Sequence, residues 1–307
     1  MHRRRFVISS ATAAAGLVLG RVPAWAQAPA APPAPLVTAF TELRRGVGLF
    51  TASGGTIGYL VNGDGAAAVD SQYPNNAELC VAGLKQRSPR GIGLLLNTHH
   101  HADHTGGNLA FKASVQKIVA HEACAAWHRK TAEQAGTLAQ QAIADTTFSE
   151  SWKADFGDET IHARYYGTGH TGGDAVITFE KANVVHMGDL LFNRAHPNID
   201  RPAGANLANW IRVLEQASDA ASSDTIFIAG HAKEMVVKTT KADVAHFSNY
   251  LTAVLEHARK SMRAGQSKDE LQKTATLPGF EDTIQLNPRL SLGFVLGIAF
   301  DELNERM

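Results

Sequence analysis

Between residues 98 and 104 the chain reads Thr-His-His-His-Ala-Asp-His, directly after the apolar run Ile92-Gly-Leu-Leu-Leu-Asn97 and just before Gly106-Gly107. His99, His101, Asp103 and His104 form an H-x-H-x-D-H pattern, with four metal-binding side chains inside six residues. A fold cannot simply bury such a cluster. Imidazoles and a carboxylate lose hydration in a core and regain it only from matched partners or a charge. Nitrogen and oxygen donors at this density suit zinc or another first-row divalent ion. Because the run follows a strand-like segment, the fold must also bring the rest of a ligand shell to that strand's end.

Three further positions offer that shell. Gly167-Thr-Gly-His170-Thr-Gly-Gly-Asp174 sets a histidine in a glycine-rich turn, Met187-Gly-Asp189 a carboxylate after a strand, and Ala229-Gly-His231 another histidine after a strand. Each ligand-type residue follows a glycine, which lets the backbone turn sharply and approach closely. Loops at strand ends are where a rigid sheet presents side chains to a shared cleft. His100 lies between ligands and is expected to point away. His121, His128, His162, His186, His246 and His257 have no ligand spacing and are expected to be structural or solvated.

The surrounding pattern alternates strands and helices. Strands are expected over 46–50, 56–61, 66–69, 92–96 and 115–120, with the turn Asn62-Gly-Asp-Gly65 closing a hairpin. A helix is expected over 75–87 and a long helical stretch over 122–144. A second strand-rich half covers 161–166, 175–179, 184–187 and 225–229, with a helix over 206–217. Helices over 241–262, 267–274 and 288–305 follow. No internal repeat is visible, and no Pro/Gly/Ser linker interrupts residues 37–307. Two packed sheets flanked by helices fit this order.

With 307 residues and 44 % hydrophobic content the chain can bury a full core. Four of its 29 basic residues, Arg3, Arg4, Arg5 and Arg21, and none of its 29 acidic ones fall within residues 1–26, which leaves the remainder at −4. That balance offers no basic tract for nucleic acid. The basic start, the Ala-rich apolar stretch 7–19 and the small-x-small site Ala24-Trp-Ala26 predict an export signal over 1–26. Arg3-Arg-Arg-Phe-Val7 has the twin-arginine pattern, so the expected partner is twin-arginine export machinery and the expected location periplasmic or secreted. The apolar stretch is too short for a membrane span. Residues 27–36 read as a Pro/Ala-rich spacer, 37–240 as the catalytic domain, and 241–307 as a helical extension packed on it. Cys80 and Cys124 are expected as two buried thiols, with a disulfide open. The oligomeric state is not legible.

In these motifs, in this order, the chain resembles the metallo-β-lactamase-fold hydrolases over residues 46–235. The resemblance implies an α/β fold, a four-layer αββα sandwich with a helical C-terminal extension. It implies that His99, His101 and His170 hold one divalent ion, that Asp103, His104 and His231 hold a second, and that Asp189 bridges them. Zn2+ is the first expectation, with Fe or Mn open. It further implies a hydroxide shared by the ions that attacks an activated carbonyl, oriented by Asp103. Asp70, at the end of the 66–69 strand, is expected to support the histidine loop from behind.

The substrate is less legible than the chemistry. Several β-lactamases of the family carry Cys at the Asp189 position, and some use a lysine three residues later, where this chain has Phe192. Arg194 is the nearest cation, and with His196 it is a candidate substrate contact. A glyoxalase II reading shares Asp189 and the helical tail but sits badly with export. A lactone or related ester fits both site and compartment. Two alternatives stay open: a mononuclear iron persulfide dioxygenase of the same fold, and a non-enzymatic periplasmic metal-binding protein.

Overall fold

Alternation along the central strands decides the architecture. In a computed structural model that describes residues 38–305, Ala66 and Ala68 point to one side of their strand while Ala67 and Val69 point to the other, and all four are fully buried. A strand covered on both faces must lie inside a layered fold. It belongs to a seven-stranded sheet ordered β1 (Ala39–Arg44), β2 (Val47–Thr51), β3 (Ile57–Asn62), β4 (Gly65–Val69), β5 (Ile92–Asn97), β6 (Lys117–His121) and β7 (Thr146–Phe148). The first four strands pair antiparallel; from β4 to β7 the pairing is parallel.

The second sheet holds β8 (Ser151–Phe156), β9 (Glu159–Tyr165), β10 (Ala175–Phe179) and β11 (Val184–His186). It continues past β12 (Phe192–Asn193) through β13 (Ile226–Ile228) and, beyond β14 (His231–Ala232), β15 (Lys238–Thr239). Its spatial order is β15-β13-β11-β10-β9-β8, with β11 and β13 parallel, while β12 and β14 form a separate parallel pair.

Between the sheets lies a core of Val47, Leu60, Val69, Leu94, Leu96 and Val119 against Ile161, Ile177, Phe179, Val184 and Ile228. Outside the first sheet, α1 (Pro74–Arg87) and, following α2 (Ala102–Thr105), α3 (Asn108–Lys112) bring Cys80, Leu84 and Phe111 onto Phe50, Ala68 and Leu95. After α4 (Glu122–Gln134), three long helices cover the second sheet. These are α5 (Leu207–Asp219), α6 (Lys241–Arg263) and, past α7 (Lys268–Leu271), α8 (Leu292–Asn304). Trp210, Phe247, Tyr250, Leu251 and Leu296 form their contact with Val185 and Phe227. The result is the expected four-layer αββα sandwich.

Several expectations shift. The helix expected over 122–144 stops at Gln134, because Gly136 adopts φ +66 and turns the chain out; a single 3₁₀ turn, Leu138–Gln140, follows. The 288–305 helix begins only at Leu292, where the Ser291 hydroxyl accepts the Phe294 N–H. The 267–274 helix shrinks to one turn held by the Ser267–Glu270 capping box. Strands β1, β7 and β8 and the two-residue strands were not expected. Cys80 and Cys124 are both buried and free, and burial pushes both thiols upward in pKa. The export signal and spacer expected over 1–36 lie outside the described residues.

Candidate metal centre

The C-terminal ends of the parallel strands β4, β5, β11 and β13 meet at one edge of the sandwich. The expected ligands ride on the loops that leave them, joined by His170 from the β9–β10 connection. Open α/β sheets collect functional groups at this edge because the rigid strands fix where each loop starts. Two glycines permit the approach. A Cβ on Gly230 would run into the Asp189 carboxylate, and one on Gly55 into the His104 ring.

His99, His101, His170 and Asp189 offer ligand atoms all within 4.8 Å of one another, and so do Asp103, His104 and His231. Asp189 joins the groups. One of its oxygens is 3.5 Å from His170 Nε2 and 3.4 Å from His231 Nε2, and the other is 3.0 Å from His104 Nε2. Asp103 Oδ2 is 3.1 Å from His231 Nε2. The structure thus brings all seven residues to one place. His100 joins neither group around Asp189; its Nε2 turns to Asp200 at 3.4 Å.

Which ring nitrogen faces inward is set from behind. Asp70 accepts the Thr98 N–H and the Thr98 hydroxyl, both at 2.7 Å, and the His104 Nδ1–H at 2.7 Å, which leaves His104 Nε2 pointing inward. Asp70 does so from a left-handed backbone (φ +64), a conformation Asp tolerates better than most residues. His170 donates Nδ1–H to the Asn198 carbonyl at 2.9 Å, and His101 donates Nε2–H to Asp200 at 3.0 Å. The lone pairs of His170 Nε2 and His101 Nδ1 therefore face each other at 3.0 Å. Two acceptors at that separation repel unless a cation sits between them. His99 Nε2, buried, has no hydrogen-bond partner among the described residues. Converging lone pairs, an orphaned imidazole nitrogen and a mixed N/O donor set all fit divalent metal ions.

Electrostatics agrees. Burial lowers the His170 pKa to about 3 and holds His99 well below its usual range, so both are neutral donors. Burial also opposes charge on His104 and His231, but the Asp189 and Asp103 carboxylates prevail. They lift His104 well above 6.5, and His231 to about 9. Burial works against the Asp103 carboxylate too, yet His104 and His231 hold it at about 2. With no ion bound, protons on His104 and His231 neutralise carboxylates aimed at a common point.

Two residues matter here that the sequence did not single out. Asp200 receives both His100 and His101, and the Asn198 carbonyl orients His170. Asp200's local signal was that of a helix N-cap, since its side chain accepts the Ala203 N–H at 3.2 Å, and nothing linked it to a histidine 99 positions earlier. Arg194 and His196, in contrast, are not brought to the cleft beside the ligands. Arg194 pairs with Asp282 at 3.1 Å and faces Asp243 at 3.8 Å. His196 is buried with its Nδ1 2.7 Å from the Tyr250 hydroxyl.

A four-layer αββα sandwich with two adjoining His/Asp groups at a sheet edge defines a class, α/β proteins whose clustered His/Asp residues are able to hold metal ions. The model of the metallo-beta-lactamase superfamily matches residues 51–231, and the chain belongs to that superfamily. A hydroxyacylglutathione hydrolase from Methylococcus capsulatus is 31 % identical over 135 residues, 44 % of this chain. The chain spans only 47 % of that relative's length. Among solved structures, a metallo-beta-lactamase from Pontibacter korlensis superposes with a TM-score of 0.59 at 18 % identity, over 70 % of this chain and 99 % of its own. A double mutant of the sec-alkyl sulfatase PisA1 reaches 0.69 at 13 % identity, over 87 % of this chain and 50 % of its own. These structural likenesses concern the fold.

Proposed function

We propose that this chain is a hydrolase that works with two divalent ions, Zn2+ foremost, on an activated carbonyl: a lactone, a β-lactam or a related ester or thioester. The observation that carries the reading is the Asp189 carboxylate, which reaches both ligand groups within 3.0–3.5 Å. When bound, paired ions supply a water acidified toward neutral pH and a Lewis acid for the carbonyl oxygen. The chain does the rest. Neutral His99 and His170 donate without requiring a proton to leave, and His101, with its Nε2–H held by Asp200, presents Nδ1 beside them. Asp103 lines the cleft beside Asp189 and His231. At about pH 2 and above it is a carboxylate, able to orient a water and take its proton. Tyr73, Phe192, Leu286, Leu290 and Phe294 line the same cleft and exclude bulk water from one side of a bound acyl group.

A single-iron dioxygenase would leave Asp103, His104 and His231 gathered at 3.1–3.8 Å without a use, and turnover separates a hydrolase from a plain metal-binding protein. The Arg3-Arg-Arg-Phe-Val7 start supports export, and among the described residues no helix is long and apolar enough to cross a membrane. The test is metal analysis of the purified chain followed by turnover of a γ-lactone, a cephalosporin, a thioester and a phosphodiester. Two ions per chain and carbonyl turnover are expected, with Asp189→Ala and His104→Ala each losing most activity while staying folded. One iron per chain with oxygen consumption, or unchanged turnover in both variants, would sink the reading.

A further inference from the structure

The cleft beside the ligands encloses about 430 Å³, and one wall of it comes from the segment between α7 and α8. Leu286, Asn287, Arg289, Leu290 and Phe294 face Tyr73, Phe192 and Asn198 across it. The segment is fastened to the loop that follows Asp189. Ile284 donates to the Arg194 carbonyl at 3.0 Å and accepts the His196 N–H at 2.9 Å, and Asp282 takes the Arg194 guanidinium. A turn then carries Arg289 forward. Asn287 Oδ1 accepts the Arg289 N–H at 3.0 Å, and the Leu290 N–H returns to the Asn287 carbonyl at 3.1 Å.

Arg289 is the only arginine or lysine lining this cleft among the described residues, and its guanidinium makes no ion pair or hydrogen bond with them. The neighbouring arginines are spoken for. Arg194 holds Asp282, and Arg201 holds Glu302 at 3.5 Å together with Glu305. The same cleft carries the apolar side chains of Phe192, Leu286, Leu290 and Phe294. Tyr73 and Leu286, both in the cleft, are among the few large hydrophobic side chains left exposed. A fork of donors beside an apolar platform suits a planar anion joined to a hydrocarbon.

We propose that Arg289 binds a carboxylate on the substrate, so that the cleft selects an amphipathic carbonyl compound: an apolar acyl body with a carboxylate set apart from the scissile bond. This rests on the hydrolase reading above. The test uses two chromogenic esters with matched six-carbon acyl chains, p-nitrophenyl hexanoate and the mono-p-nitrophenyl ester of adipic acid, with the metal-loaded full chain. The ratio of kcat/KM, carboxylated over neutral, is expected to fall about tenfold in Arg289→Ala, the scale of a charge-assisted hydrogen bond, and to recover in part in Arg289→Lys. An unchanged ratio in Arg289→Ala would overturn the proposal. Calorimetric binding of adipate and hexanoate is measured in parallel. Ester turnover without Arg289 dependence removes this proposal and leaves the hydrolase reading. Adipate binding that is tighter than hexanoate only when Arg289 is present, with no ester turned over, does the reverse.

Discussion

At the scale of single residues, the site is organised by the ring nitrogen that faces away from it. Asp70 fixes His104, Asp200 fixes His101, and the Asn198 carbonyl fixes His170. Burial favours a protonated carboxyl at Asp200, but hydrogen bonds from His100 and His101 hold its pKa far below the usual carboxylate range. Removing such a partner frees the imidazole to rotate and lowers its basicity, which typically weakens metal affinity about 10–100-fold. Asp200→Ala should therefore weaken one ion by about that factor, read by competition with a chromogenic chelator, while Asp200→Asn, whose carbonyl still accepts His101 Nε2–H, loses less. Equal losses in both variants would mean the charge, not the orientation, is what Asp200 contributes. A second expectation follows from His104 and His231. Both carry protons at pH 7 when no ion is present, so metal uptake must expel them. Titration calorimetry in buffers of different ionisation enthalpy should show about two protons released per chain at pH 7, with the His231 share lost as pH rises through about 9. The seven ligand positions were legible because each follows a strand end or a glycine in an unusually dense His/Asp pattern. Asp200 was not, because orientation from behind needs only a carboxylate in the right place and imposes no spacing on the sequence.

At the scale of elements, the parallel strands determine where the loops start, but the walls of the cleft come from connections whose partners are distant in sequence. Arg194 and His196 were expected near the substrate because they follow Asp189 closely; in the fold they face the segment that carries Arg289. Arg194 clamps Asp282 and, through its carbonyl, Ile284. The pair is part-exposed, with side-chain exposures of 30 % and 52 %, so its worth to global stability is about 0–1 kcal/mol. Arg194→Ala should accordingly leave Tm within about 2 °C of the parent, a shift consistent with such a small loss, yet release the 280–291 segment. Faster proteolytic cleavage there and a KM raised about threefold with kcat nearly kept are the expected outcomes, the scale of one weak contact. Unchanged cleavage would show that the backbone bridge at Ile284 holds the segment alone. The same distinction explains which strands were visible in the sequence. β4 and β5 are buried on both faces and read as apolar runs, whereas β1, Ala-Phe-Thr-Glu-Leu-Arg, is a polar edge strand. In β8 the alternation of Trp152, Ala154 and Phe156 with polar residues is present, but its even positions are only half-buried.

At the scale of the whole molecule, loops from both sheets converge on one cluster of charge, so ions held there would tie the two layers together. Asp103 and His104 come from the first sheet, Asp189 and His231 from the second. Without ions, the protons on His104 and His231 take over part of that task, which gives stability a definite pH dependence. The His231 pKa is raised in the fold, from 6.5 to about 9, so its contribution is complete below about pH 6.5 and is lost as pH rises through 9. A shift of that size corresponds to about 3 kcal/mol, and His104 moves in the same direction. Ion-loaded protein has no such dependence over this range, because its histidines are already neutral and bound. Thermal melts of chelator-treated and zinc-loaded chain between pH 6 and 10 should therefore diverge. The loaded form should hold nearly level, while the chelated form melts roughly 10 °C lower by pH 9.5 than at pH 6, at the usual conversion of a few degrees per kcal/mol. His231→Gln in the chelated state should flatten that slope, since the amide keeps a donor toward Asp103 and Asp189 without a proton to lose. If the chelated parent melts at one temperature across the whole range, the carboxylates are neutralised by something other than these two histidines.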